Sequence, residues 1–220
     1  MSAQQDVPAT GGMPIPEVAF QVRPTAYFFR LKSPKNFEVA RPASFNDMST
    51  FKTIDMDFTV KKGLETVWSQ YNTINPLKIW NNARSQIVAV YVPSKDRTLY
   101  REQLVEEWSG FEEGMKIFID MSSLPVAVSN RPAMMVALMI VRLDPAERMV
   151  EFRYVEGTPS YGKQIIKFSR SESDPNVTEI SHKTWFRSYG ALVEQLYSMY
   201  HNMMIRGMHE RFRWEIETDR

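Results

Sequence analysis

The chain changes from strand to helix within residues 51–71, FKTIDMDFTVKKGLETVWSQY. Apolar side chains first alternate with polar ones, at Ile54, Met56, Phe58 and Val60. This period of two predicts a strand with one face toward solvent. After Gly63 the apolar residues recur at i, i+3, i+4 and i+7, starting at Leu64, which predicts a helix. A second short helix is predicted to begin at Asn75-Pro76.

Seven further segments have the composition of strands and are separated by turn residues. They are residues 85–92, 99–109, 115–122, 133–143, 149–156, 162–169 and 176–187. Residues 99–109 also fit a helical stripe, and residues 133–141 are rich in the helix formers Ala, Met and Leu. We interpret both as strands, and the glycines at Gly110 and Gly114 favour a hairpin after the first of them.

Residues 190–217 contain no proline and predict one long amphipathic helix at the C-terminus. At 100° per residue, one apolar arc of this helix holds Leu192, Leu196, Met199, Tyr200, Met203 and Trp214. Gly207 lies near the centre of that arc, where a missing side chain weakens the helix. We therefore expect this arc to face the core, with room for a bulky group beside Gly207.

The N-terminal residues differ from the rest in composition. Residues 1–19 are rich in Gly, Pro, Gln and Ser and are expected to form a flexible tail. Residues 20–50 interleave aromatic residues with prolines, which predicts an extended arm laid on a surface. That surface belongs either to the chain's own domain, residues 51–220, or to a twin subunit in a homodimer through the arm.

Composition excludes several classes of function. Lys plus Arg (27) nearly balance Asp plus Glu (26), so no field attracts nucleic acid. The absence of cysteine excludes disulfides and thiolate chemistry, and cytoplasm is the expected location. No signal peptide is recognisable, and the longest apolar run, residues 133–141, is too short to span a bilayer. No phosphate-binding loop or hydrolase motif is found, and no cofactor is expected.

The order of these elements resembles that of a known superfamily. A strand, two short helices, an antiparallel run and a long last helix follow one another from about Thr53 to Glu217. Local patterns that support the resemblance are 58–68 (FTVKKGLETVW), the turn at 110–114 and residues 178–190 leading into the last helix. In these features the chain resembles the SRPBCC or START-like superfamily, whose members include lipid carriers and aromatic polyketide cyclases.

The resemblance implies an α+β helix-grip fold, in which a curved antiparallel sheet of about six to seven strands surrounds the C-terminal helix. It also implies an apolar pocket between the sheet and that helix for a small, largely apolar molecule. Three functions remain open: cyclisation or rearrangement of the bound molecule without a cofactor, carriage or sensing of an apolar ligand, and a scaffold whose pocket is filled by side chains.

Two residues are candidates for proton transfer. Period two places His182 with Ile180 and Phe186 on one face of the predicted strand, toward the helix. The alternative is a buried histidine that is hydrogen-bonded to a neighbour. Tyr161 is the second candidate, because a phenol can present a polar tip inside an apolar pocket.

The candidate ligand-binding residues are aromatic or flexible, namely Trp108, Tyr154, Phe186, Met199, Met203 and Gly207. Aromatic residues with a polar tip orient oxygen atoms, and methionines pack around variable guests. Each could also be ordinary core. His201 and His209 are eight residues apart, about 80° around the helix and outside the apolar arc, so we expect them to be exposed and to bind no metal.

Overall fold

The computed structural model describes residues 41–45, 48–80, 85–120, 135–156, 158, 160–188 and 191–218. The strands are β1 (Lys52–Val60), β2 (Gln86–Val92), β3 (Arg97–Tyr100), β4 (Lys116–Asp120), β5 (Met135–Asp144), β6 (Met149–Tyr154), β7 (Ser160–Arg170) and β8 (Thr178–Ser188). The helices are α1 (Leu64–Thr73), α2 (Pro76–Trp80), α3 (Arg101–Glu107) and α4 (Ala191–Glu217).

The eight strands formed by the described residues belong to one antiparallel sheet in the order β1-β8-β7-β6-β5-β4-β2-β3. The first strand, β1, pairs with the last strand, β8, along its whole length, from Lys52 opposite Phe186 to Val60 opposite Thr178. The predicted α+β architecture with a long C-terminal helix is therefore confirmed. The sheet has eight strands, where six to seven were expected.

One face of the sheet carries the main core. Along β7 the residues of this inner face are buried from Gly162 to Phe168, while their neighbours are partly or fully exposed. Each of the four helices contributes to the same cluster, for example through Tyr71, Trp80 and Leu104. Burying one such large apolar side chain contributes about 1.5–3 kcal/mol. Sheet and helices thus form two layers with the core between them.

The strand predicted at residues 99–109 is wrong beyond Tyr100, because α3 begins at Arg101. The helical alternative prevails since Leu104 is fully buried at the centre of α3. The backbone N–H of Tyr100 donates to Oε1 of Gln103 at 3.0 Å, which caps the first turn. The strand interpretation of residues 133–143 holds for the residues described, since β5 begins at Met135.

The long helix α4 packs mainly through a different face from the one predicted, although Tyr200 of the predicted arc is buried and Met203 packs partly against the core. Its buried face consists of Tyr197, Tyr200, His201, Met204, Ile205, Met208, His209, Phe212, Glu215 and Ile216. In contrast, Met199 is 49% and Trp214 is 39% exposed. The side chains of Leu192 and Leu196 lie outside those described. The helix has two apolar stripes, and the one that contains the histidines is the one that packs on the sheet.

The end of the N-terminal arm binds the chain's own domain. The backbone N–H of Ala43 donates to the carbonyl oxygen of Tyr154 at 2.7 Å, and that of Glu156 donates to Arg41 at 2.9 Å. Pro42 forms a bridge with Val155. Residues 1–40, which include the predicted tail and most of the arm, lie outside the described residues. Among the helices that are described, none is long and apolar enough to cross a membrane.

Candidate functional site

A line of hydrogen-bonded polar side chains crosses the interface between the sheet and α4. Its centre is Gln164, an inner-face residue of β7 that is 1% exposed. The Nε2 atom of Gln164 donates to the hydroxyl oxygen of Tyr154 at 2.8 Å. The Oε1 atom of Gln164 lies 3.0 Å from Nε2 of His182. Three neighbouring strands, β6, β7 and β8, therefore each supply one of these groups.

Both ends of the line reach α4. Nδ1 of His182 lies 2.9 Å from Nε2 of His209, and the hydroxyl groups of Tyr154 and Tyr197 are hydrogen-bonded to each other. We call these five residues the interior polar chain: Tyr197, Tyr154, Gln164, His182 and His209. Twelve residues separate its two helix members, a distance of about 18 Å along the helix axis. The interior polar chain thus connects α4 to the sheet at two separate places.

A second polar contact lies between those places. Oγ1 of Thr184 is 3.1 Å from Nε2 of His201, whose ring centroid lies 6.1 Å from that of His182. All three histidines of the protein are 1% exposed. The expectation that His201 and His209 are exposed is therefore wrong. A neutral imidazole can be buried when the opposing strands offer hydrogen-bond partners, and Thr184 and His182 provide them.

Burial keeps the polar groups of this interface uncharged. Desolvation, with smaller effects of the neighbouring histidines, holds the pKa of His182 well below its usual range. It lowers the pKa of His201 and of His209 to about 3, although Asn202 opposes the shift at His201. Burial also raises the pKa of Tyr154 to about 12 and that of Tyr197 well above its usual value. Near pH 7 the interior polar chain is neutral throughout.

The hydrogen bonds determine which ring nitrogens carry hydrogen. Because Gln164 donates through Nε2, its Oε1 must accept from Nε2–H of His182. Neutral His182 then has a bare Nδ1, which accepts from Nε2–H of His209. Neutral His209 is left with a bare Nδ1, an acceptor that is buried and has no hydrogen-bond partner among the described residues.

Nδ1 of His201 also lacks a partner within the described part of the chain, as do the hydroxyl of Tyr71 and Nε1 of Trp80. These side chains are at most 1% exposed. The ring of Tyr71 lies 4.8 Å from that of Phe168 and 5.2 Å from that of Phe212. Polar atoms without a partner are uncommon in protein interiors, and each calls for an explanation. Here they lie among apolar and aromatic groups.

The structure brings together three of the residues predicted for the site. His182 and Tyr154 belong to the interior polar chain, and Phe186 lies beside it, 4.5 Å from Tyr197 between ring centroids. Tyr161 is not among them, because it occupies the outer face of β7, where its ring meets that of Phe51 at 5.4 Å. Side chains of a strand alternate between its two faces, so Tyr161 and Gln164, which are three residues apart, lie on opposite faces.

The other predicted residues lie outside the interior polar chain. Nε1 of Trp108 donates to the carbonyl oxygen of Thr73 at 2.9 Å, so its polar tip joins α3 to the end of α1. Met199 is exposed and is not part of the buried face of α4. Met203 and Gly207 are half-buried on that helix. Among the described residues no group of histidine and acidic side chains is arranged to hold a metal ion.

Two residues of the site, Gln164 and Tyr197, were not singled out by the sequence, and two more were expected to be exposed, His201 and His209. A signal for the last three does exist, because Tyr197, His201, Ile205 and His209 recur at every fourth position of α4. Counting histidine as an interior residue would have revealed this stripe. Gln164 shares the period-two face of Ile166 and Phe168, but a glutamine on such a face has no sequence signature of its own.

Comparison with solved structures identifies the fold. A norcoclaurine synthase from Thalictrum flavum superposes with a TM-score of 0.52 at 12% identity, over 77% of this chain and 96% of that one. A START superfamily protein from Mycobacterium smegmatis gives a TM-score of 0.51 at 10% identity, over 76% and 99%. The chain has the helix-grip fold. No protein-family model matches it, and no curated protein is similar to it in sequence.

The helix-grip fold accounts for the position of the site. In this arrangement one face of the sheet is covered by the C-terminal helix, which is where the interior polar chain lies. The resemblance predicted from the order of elements is thus confirmed for the fold. At identities of 10–12% the likeness concerns the fold alone.

Proposed function

We propose that this helix-grip chain binds a small, largely apolar molecule between the inner face of its sheet and α4. The observation that carries the proposal is the interior polar chain, which lies together with the contact between Thr184 and His201 within an interface that is otherwise mostly apolar. Ligand sites in proteins are mostly apolar and contain a few polar groups that orient the guest. The hydroxyl and imidazole groups of this interface have that character.

Energetics supports a role beyond holding the helix. Each buried polar group that loses its partner costs about 1–3 kcal/mol, and well-packed apolar residues would hold α4 to the sheet without that risk. Tyr71, Trp80 and His209 nevertheless keep polar atoms without a partner among the described residues. A guest with its own polar group would give such an atom a partner.

The finer proposal is that the bound molecule is cyclised or rearranged without a cofactor. Tyr154 and Tyr197 share one hydrogen bond, which leaves one of their two hydroxyl hydrogens to polarise a carbonyl group of the guest. Both ring nitrogens of His182 are engaged, so His182 would act by positioning His209. Tyr154→Phe should reduce the turnover of a linear poly-β-ketone and keep its affinity, whereas Tyr161→Phe on the outer face should change neither.

A second candidate is favoured by a specific observation. Large aromatic side chains in the interface are almost completely buried, among them Tyr71, Trp80, Phe152, Phe168 and Phe212. Such side chains could fill the interior, and the protein would then be a scaffold without a guest. A carrier or sensor that binds its guest without converting it is intermediate between the two.

Uptake of a neutral fluorescent probe tests binding. N-phenyl-1-naphthylamine should bind with a blue-shifted emission and compete with any molecule found in the purified protein by native mass spectrometry. Met208→Trp should abolish uptake, since Met208 is fully buried, and Arg206→Trp on the exposed side of α4 should not. Circular dichroism of both variants serves as the control for folding. A folded wild type that takes up no probe would contradict binding and favour the scaffold.

A further inference from the structure

The bare Nδ1 of His209 constrains what the guest can be. The direction of donation along the interior polar chain makes this nitrogen an acceptor, and it has no partner among the described residues. The ring is held in place on both sides, by the hydrogen bond to His182 and by the ring of Phe58, which stacks on it at 4.2 Å. Only a hydrogen-bond donor can satisfy the bare Nδ1.

No charged side chain belongs to the interior polar chain. The buried Glu215 near the end of α4 is paired with Arg211 at 3.0 Å and with Lys78 at 3.6 Å. The buried Lys116 lies 4.5 Å above the ring of Tyr91, in the cross-strand row of the outer face. An anionic guest would thus lose its hydration without gaining a cation at the interior polar chain.

The apolar side chains on the inner face of β1 are partly exposed. The apolar residues Ile54, Met56 and Phe58 are half-buried on β1. Their partners on β8, which are Thr184, His182 and Ile180, are almost fully buried. Among the described strands β1 lies at an edge of the sheet, with its pairing on the side of β8. The margin between β1 and α4 therefore combines partial exposure, apolar surface and a buried acceptor.

We propose that the guest carries an uncharged hydroxyl group, of an alcohol, a phenol or the enol form of a β-ketone, which donates a hydrogen bond to Nδ1 of His209. The inference rests on the proposed function and makes it more specific, since it names the chemical class of the guest. Carboxylates and phosphates are rejected, because they bring charge and no donor. A pure hydrocarbon binds more weakly, because it leaves the acceptor without a partner.

Three probes of one shape test this, namely naphthalene, 2-naphthol and 2-naphthoate, titrated into the full chain at pH 7.5. We expect 2-naphthol to bind about tenfold more tightly than naphthalene, the range of one neutral hydrogen bond in a buried site. 2-Naphthoate should bind more weakly than both. Equal affinities, or tightest binding of 2-naphthoate, would overturn the inference but leave binding of apolar molecules intact. Binding of none of them would contradict the proposed function itself.

Two substitutions at His209 locate the contact. His209→Phe keeps the aromatic ring beside Phe58 and removes the acceptor, so the preference for 2-naphthol over naphthalene should disappear. His209→Gln can still donate to His182 and accept from a guest, so part of the preference should return. If the phenylalanine variant does not fold, the ¹⁵N resonance of Nδ1 in the wild type decides. It should move upfield with 2-naphthol and stay unchanged with naphthalene, and no movement with 2-naphthol would overturn the assignment.

Discussion

At the scale of single residues, the close pairing of β7 with β8 depends on Gly162. Its φ angle is +139°, and a Cβ atom there would lie 2.0 Å from the carbonyl oxygen of Trp185 and 2.9 Å from Cα of Phe186. Both obstacles are backbone atoms, which cannot rotate away. Gly162 is two residues before Gln164, so the geometry of the interior polar chain depends on this approach of the two strands.

We therefore expect Gly162→Ala to destabilise the protein by more than about 2 kcal/mol, since strain and a backbone clash act together. Urea denaturation measures the change. Gly63→Ala is the matched control, because a Cβ at Gly63 meets no atom within 4 Å. Its free energy of unfolding should stay within about 0.5 kcal/mol of the wild type. Similar losses in the two variants would contradict the account of Gly162.

At the scale of elements, α4 can be tested for which of its two apolar stripes supports the fold. Met208 is fully buried and Met199 is 49% exposed, although both are methionines of the same helix. Met208→Ala should cost about 2–5 kcal/mol through lost burial and the cavity it leaves. Met199→Ala should change the free energy of unfolding by less than about 0.5 kcal/mol. If Met199→Ala destabilised the protein more than Met208→Ala in thermal or urea denaturation, the arc predicted from the sequence would be the one that supports the fold.

The histidines that hold α4 to the sheet make its attachment sensitive to acid. Unfolded histidines titrate near pH 6.5, whereas burial lowers the pKa of His201 and His209 to about 3. Below about pH 6.5 the unfolded chain therefore binds more protons than the folded one, and stability falls as the pH decreases toward 3. Each histidine contributes a slope of about 1.4 kcal/mol per pH unit.

His201→Gln should reduce this slope by the contribution of one histidine between about pH 6 and pH 4.5. Glutamine does not titrate and can still form a hydrogen bond with Thr184. The measurement is the free energy of unfolding in urea at a series of pH values. An unchanged slope would show that His201 is already protonated or exposed in the folded protein.

At the scale of the whole molecule, the N-terminal arm is attached through few contacts. Residues 41–45 bind the end of β6 through the backbone of Arg41, Ala43, Tyr154 and Glu156, and the guanidinium group of Arg153 lies 5.5 Å from the ring of Phe45. This end of the arm therefore stabilises the strand that carries Tyr154. That residues 20–40 bind a surface, of the same domain or of a second subunit, stays a prediction.

Two truncations separate the contribution of residues 41–45 from that of the residues before them. Removal of residues 1–45 should lower Tm by a few degrees more than removal of residues 1–40, because only the longer deletion removes the hydrogen bonds to β6. Light scattering after size-exclusion chromatography measures the oligomeric state of the same samples. Loss of a dimer in both truncations would support an arm that binds in trans. Equal Tm values for the two would contradict the stabilising role of residues 41–45.

The sequence by itself determined the order and type of most elements, because periods of two and of 3.6 are local properties. The alternation at Ile54 to Val60 and the proline-free helix at the C-terminus were enough to predict the helix-grip order. It also placed His182 on the face of β8 toward the helix, which the hydrogen bond between His182 and His209 of α4 confirms. The segment after Tyr100 was ambiguous, since the burial of Leu104 decides it and burial is not local.

Only the tertiary structure decided which stripe of α4 is buried and which residues meet there. The sequence pattern counts a histidine as polar, but His201 and His209 are buried because Thr184 and His182 stand opposite them on β8. Gln164 joins the site for the same reason, since strand pairing brings it between Tyr154 and His182. Partners from distant parts of the chain set the cost of burying a polar group, and such partners are known only once the chain is folded.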